Sequence, residues 1–108
     1  MPAKSEAIPP LRIDDARSAH IFRNAPGHLP EDTEHNRSLL ESLANNPAAQ
    51  LGKDKYGNGW AALMRPDGTQ LWIQSRGAEI INGGINVTPR VFDPRLGLSE
   101  RRHAVPKE

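Results

Sequence analysis

Residues 59–81 read GWAALMRPDGTQLWIQSRGAEII, and the fold class turns on how this stretch is punctuated. Pro66, Asp67 and Gly68 form one turn signal and Gly77 another, because proline presets its backbone angle and glycine accepts conformations that other residues resist. The segments between them carry the short, alternating pattern of strands. The spacing predicts three strands, Gly59 to Arg65, Thr69 to Arg76 and Glu79 to Ile81, joined as an antiparallel meander. On the middle strand the two-residue period puts Leu71 and Ile73 on the face toward the rest of the chain. Gln70, Trp72, Gln74 and Arg76 fall on the other face. A tryptophan among amides and an arginine reads as a shallow platform, where an aromatic plane and hydrogen-bond donors could meet a nucleobase.

Upstream, the pattern becomes helical. Asp14 or Asp15 can start a short helix that places Ala16, Ala19, His20 and Arg23 on one face, and Asn24, Pro26 and Gly27 end it. A second helix starts at Asp32 or Thr33, shows Asn36, Leu39, Leu40 and Leu43 as its inner stripe, and stops around Asn45, Asn46 and Pro47. Gly52 through Gly59 then read as a polar loop with Lys53, Lys55 and Tyr56. Helices followed by a meander define an α+β fold, with N-terminal helices packed on a small antiparallel β-sheet.

A chain of 108 residues fits a single domain. Three prolines and no periodicity mark residues 1–12 as a linker, which leaves a domain over 13–98 and a flexible tail over 99–108. The sequence shows no apolar run of bilayer-spanning length and no secretion signal in its first residues, MPAKSEAIPP. The absence of cysteine excludes disulfides, thiolate catalysis and cysteine-bearing zinc sites. A net charge of +1 is too small to argue for nucleic acid by itself, so any such case rests on local chemistry.

Histidine is the side chain best suited to exchange a proton near neutrality, and the chain has four. His20 beside Arg23 could set a general base next to a phosphate-binding cation, or could simply be half buried against the sheet. His28 follows Gly27 in a loop where backbone constraint would aim its ring, or it could be a turn residue bonded to nearby backbone. His35 reads as a solvent-exposed position in the first turn of the second helix, and His103 lies in the tail. The histidines lack the one-turn spacing of a helical zinc motif, and nothing in the pattern calls for a metal or another cofactor. The run from Asn82 to Arg90 holds the pair Gly83-Gly84, which permits close backbone approach to a ligand or a plain bulged turn. Thr88 and Arg90 follow, a hydroxyl and a guanidinium suited to a phosphodiester whose charge grows during cleavage. Lys55 and Asn86 join Trp72 and Gln74 as candidate substrate-binding residues. An RNA strand supplies its own nucleophile, the 2′-hydroxyl, so this inventory of bases, acids and cations could suffice for its cleavage.

Several strings taken together resemble one family: His20-Ile21-Phe22-Arg23, Gly27-His28-Leu29, Asp32-Thr33 with Asn36-Arg37-Ser38-Leu39-Leu40, the tract from Leu51 to Asn58, Asp67 to Gln74, and Asn82 to Asn86 with Pro89-Arg90. The resemblance runs from about His20 to Leu98. It is to the C-terminal toxin domains of contact-dependent inhibition effectors, also found in some phage head-morphogenesis proteins. It implies a polymorphic-toxin ribonuclease of the barnase, EndoU, colicin and RelE superfamily, an endoribonuclease that cuts RNA, with tRNA expected, without metal. His20, Arg23, His28, Thr88 and Arg90 carry over as motif positions. The expected roles are His20 or His28 as base and acid, Arg23 and Arg90 on the phosphate, and Thr88 as a donor. The resemblance further implies delivery into a target-cell cytoplasm and a cognate immunity protein covering the cleft. The main competing expectation is a non-enzymatic, phage-associated binding or assembly module that uses the sheet face around Trp72. A zinc- or magnesium-dependent deaminase or DNA nuclease is a third.

Overall fold

The structure, a computed structural model, describes residues 10–99. His103, most of the expected linker and all but the first residue of the expected tail lie outside the described residues. The fold is α+β, with two short helices, a five-stranded mixed sheet and a two-stranded sheet. No helix among the described residues is long and apolar enough to cross a membrane.

The chain enters through a two-residue strand, β1 (Arg12–Ile13), then a 3-10 turn (Asp15–Arg17) and the four-residue helix α1 (Ser18–Ile21). Helix α2 (Glu34–Ala44) follows, then β2 (Gln50–Lys53), β3 (Gly59–Met64), β4 (Gln70–Arg76) and β5 (Glu79–Asn86). The hairpin β6 (Val91–Asp93) and β7 (Gly97–Ser99) closes the described chain. The sheet order is β1-β5-β4-β3-β2. Strands β2 to β5 form the antiparallel meander, while β1 lies parallel to β5 at the edge.

Three local differences from the sequence reading have clear causes. Arg12 joins the fold rather than the linker, because α2 captures the segment. Asn45 exchanges two hydrogen bonds with the Leu11 backbone, at 2.8 and 3.1 Å, and the Glu41 carboxylate accepts from the Ile13 amide at 3.0 Å. Helix α1 ends at Ile21, since Phe22 turns extended and buries its ring, so Arg23 does not share a helical face with His20. Strand β5 runs past Ile81 to Asn86, with Gly83 and Gly84 inside it rather than in a turn.

Thr33 caps α2 through its hydroxyl, which accepts from the Asn36 amide at 3.0 Å. Asp32 instead takes the Arg37 guanidinium in a two-pronged bond at 2.6 and 2.8 Å, and Arg37 reaches Asp15 at 2.8 Å. The Asp32-to-Arg37 motif is thus accounted for as a staple between the α2 start and the turn before α1. Leu40 and Leu43 of α2 bury against Ala61, Leu71, Ile73 and Ile80 of the sheet. The approach is close at Gly83, where a Cβ would stand 3.2 Å from Leu40 and 3.0 Å from the Trp72 carbonyl.

The opposite face of the sheet is covered as well. Trp60 and Trp72 form a second apolar cluster with Leu98, flanked by Ala62 and Phe92, so the β6–β7 hairpin lies over this face. Gly97 has φ +89°, and a side chain there would fall on the Trp60 indole. Trp72 is only 7% exposed, so the open platform expected from the strand pattern is a packed layer with a cavity at its margin.

Candidate functional site

Between Phe22 and Leu29 the chain makes a closed loop over the Trp72 side of the sheet. Phe22 and Leu29 pair as a bridge, the Arg23 amide donates to the Leu29 carbonyl at 2.9 Å, and the His28 amide donates to Ala25 at 3.1 Å. Gly27 at the tip has φ +83°, a left-handed conformation that glycine adopts without steric cost. Its carbonyl accepts from the Trp72 indole N–H at 3.0 Å. It also packs onto Gly84, where a Cβ would land on the Gly27 carbonyl oxygen and stand 2.7 Å from the His28 Cα. The glycine pair therefore allows close approach on both faces, by α2 at Gly83 and by the loop at Gly84.

The loop, the sheet and the hairpin enclose a cavity of about 210 Å³. Pro26, Gly27 and His28 form one wall; Trp60, Trp72, Asn82 and Asn86 form the floor; Arg90 and Leu98 lie on the hairpin side. Four of the residues singled out in the sequence, His28, Trp72, Asn86 and Arg90, meet here. Arg23 stands one hydrogen bond away. Its guanidinium lies 3.0 Å from His28 Nε2, and His28 Nδ1 lies 3.0 Å from the Ile21 carbonyl. Arginine only donates, so Nε2 must accept and Nδ1 must carry the proton. One neutral tautomer is thereby selected, with its basic nitrogen toward Arg23. The Trp72 indole meets the imidazole edge-on, with ring centroids 5.9 Å apart.

Burial foremost holds the His28 imidazole below histidine's ordinary 6.5, helped by the nearby charges of Arg23 and His20 and opposed by the bond to the Ile21 carbonyl. The fold favours the neutral ring. Its contribution to stability is therefore full above pH 6.5, falls as the unfolded chain takes up a proton below that value, and levels off below the lowered folded value.

The other candidates stand further out. His20 is exposed at the end of α1, close enough for its charge to act on His28. Thr88 is exposed just beyond β5 and outside the cavity lining. Gln74 pairs across the sheet with both Trp60 and Asn82 but does not itself line the cavity. Lys55 sits on the 54–58 turn with its ammonium 5.2 Å from the Tyr56 ring centre, and the structure does not bring it to the cavity wall. His35 is exposed on α2. Among the described residues, no group of three histidine, cysteine, aspartate or glutamate side chains could hold a metal ion.

Sequence reading missed the residues that hold the floor. The buried Asp54 accepts from the Tyr56 and Asn58 amides at 2.8 and 3.1 Å and from the Trp60 indole N–H at 2.9 Å. Burial alone would push its carboxyl up, but these donors outweigh it and hold the carboxyl below the ordinary aspartate value. Its stabilising effect is present above pH 3.8 and is lost as the pH falls through the lower folded value. Asp54 so fixes Trp60, which stacks on Trp72 at 6.0 Å and 23°. Asp54→Asn should cost about 2 kcal/mol by setting an amide donor against a buried donor. Urea unfolding followed by tryptophan fluorescence would show that loss as a lower midpoint.

Comparison with family models, with curated proteins and with solved structures returns no match.

Proposed function

We propose that this cavity receives an RNA strand and that the domain is a metal-independent endoribonuclease of the toxin type, with tRNA as substrate. The observation that carries the reading is His28: a neutral imidazole of selected tautomer, on the wall of an aromatic cavity, with a guanidinium 3.0 Å from its basic nitrogen. A general base needs that nitrogen unprotonated near neutrality, and the lowered imidazole basicity supplies this.

In the free protein Arg23 occupies the lone pair of Nε2. A phosphate draws the guanidinium away, since a charge-assisted bond to an anionic oxygen is stronger than one to a neutral ring. Nε2 then takes the proton of the 2′-hydroxyl as O2′ bonds to phosphorus and the P–O5′ bond breaks. His20 is the candidate acid that returns a proton to the departing 5′ oxygen. Arg23 and Arg90 stabilise the charge that grows on the phosphoryl oxygens, and the products are a 2′,3′-cyclic phosphate and a 5′-hydroxyl. The toxin reading brings with it delivery to a target-cell cytoplasm and an immunity protein of acidic character seated over the cavity mouth.

A pH–rate profile on labelled tRNA tests the assignment of the base. The acid limb of kcat/KM should lie below pH 6.5, histidine's ordinary value. A limb centred well above 6.5 would exclude His28 as the base.

A further inference from the structure

The polarity of the amides on the cavity floor is set by a chain of hydrogen bonds, and it points to a ligand. Gln70 is buried, and its Nε2 donates to the Arg90 carbonyl at 3.0 Å while its Oε1 accepts from the Arg90 amide at 3.0 Å. A backbone amide and carbonyl cannot exchange roles, so Gln70 cannot be turned over. Its Oε1 therefore faces Asn86, which must present Nδ2 to it, at 2.9 Å. Asn86 Oδ1 is thereby forced to the other side. Asn86 is 3% exposed, and this oxygen is buried without a hydrogen-bond donor. Such groups are rare because each costs stability.

Asn86 lines the cavity, and its Oδ1 lies beside Gly27 of the cavity wall. A Cβ on Gly27 would meet, outside its chain neighbours, only Asn86 Oδ1 within 4 Å, at 3.1 Å. The lining combines aromatic and apolar side chains, Trp60, Trp72, Pro26 and Leu98, with the polar His28, Asn82 and Arg90. A cavity of about 210 Å³ has the volume of about seven waters and falls short of the roughly 300–1,000 Å³ that drug-sized ligands occupy. It suits one flat ring system.

We propose that the cavity seats a single amino-bearing nucleobase, adenine or cytosine, and that Asn86 Oδ1 reads its exocyclic amino group. The proposal rests on the ribonuclease reading for the source of that base, an RNA strand. An amino group projects two hydrogens beyond the ring toward a waiting acceptor. A keto base would set an oxygen against it. Asparagine facing the adenine amino group is a pairing that nucleic-acid readers use widely.

The test is binding of 5′-monophosphates, which the domain cannot cleave, followed by quenching of Trp60 and Trp72, the two tryptophans of the chain. AMP should bind about tenfold or more tightly than inosine monophosphate, and CMP about tenfold or more tightly than UMP. Asn86→Leu should erase both differences and change the melting temperature little, because the lost bond to Gln70 Oε1, which keeps the Arg90 amide as donor, is offset by removal of the unsatisfied oxygen. Equal binding of each pair, no binding of any of the four, a preference that survives in Asn86→Leu, or a melting temperature lowered by several degrees would overturn the proposal. An oligodeoxyadenylate, which lacks the 2′-hydroxyl and cannot be cleaved by this route, supports the strand as the source if it binds more tightly than AMP, and equal affinity makes a free nucleotide the ligand. Because binding is read without cleavage, an inactive protein that keeps the amino preference contradicts only the ribonuclease reading.

Discussion

His28→Ala should lower RNA cleavage by about 10²- to 10⁴-fold while the domain stays folded. The loss follows from removing the one imidazole on the cavity wall, whose Nε2 is the proposed proton acceptor. The structural cost is smaller. The substitution strips the Ile21 carbonyl of a part-buried donor, worth about 1 kcal/mol, and removes an edge contact with Trp72. His28→Asn separates the two effects, because an asparagine amide can stand in for the Nδ1–H donor but supplies no base. It should recover most of the lost stability and none of the activity. Cleavage rates and urea midpoints measured on both variants would show this split, and recovery of activity in His28→Asn would mean that the imidazole only braces the loop.

Gly84→Ala should be the most damaging glycine-to-alanine change on the five-stranded sheet. Its methyl would collide with the Gly27 carbonyl and crowd the His28 Cα, so the loop must lift from β5. Lifting breaks the bond from Trp72 Nε1 to Gly27 and moves the Pro26–His28 wall of the cavity. A cost of about 3 kcal/mol is expected for forcing atoms into a closed contact, which for a domain of this size lowers Tm by roughly 12–24 °C. Activity should fall with it even below the new Tm, since His28, the proposed base, leaves its place. Gly77→Ala is the control. Gly77 has φ +61° but nothing within 4 Å of a Cβ, so only the left-handed backbone penalty of about 1–2 kcal/mol applies. Calorimetry that ranked Gly77→Ala as the worse of the two would contradict the loop packing described above.

The meander was legible because its signals are local. Pro66-Asp67-Gly68 and Gly77 mark the turns, and period two assigned Leu71 and Ile73 to the α2 face and Trp72 to the other. What covers the Trp72 face was not legible. The β6–β7 hairpin is two three-residue strands, and its claim on that face comes from Leu98 and Phe92 meeting tryptophans far away in sequence. Trp60 was within reach: pairing β3 with β4 about the Pro66–Gly68 turn sets Trp60 opposite Gln74, on the Trp72 side. His28, Asn86 and Arg90 were identified by residue type and motif. Their meeting depends on Gly84 admitting the loop, and on Gln70 holding Arg90 and Asn86 across 20 and 16 positions of sequence. His20 and Arg23 were read as one helical face because their spacing is helical. The helix stops short since burying Phe22 in the core outweighs a further turn.

Cleavage of RNA through the 2′-hydroxyl without a metal, the activity proposed for this domain, is read from its product end groups. Purified protein would be incubated with total bacterial RNA in excess EDTA, and the fragments sequenced with their termini typed. Discrete tRNA fragments ending in 2′,3′-cyclic phosphate with 5′-hydroxyl partners are expected. RNA left intact at high protein concentration, or fragments ending in 3′-hydroxyl, would rule this activity out.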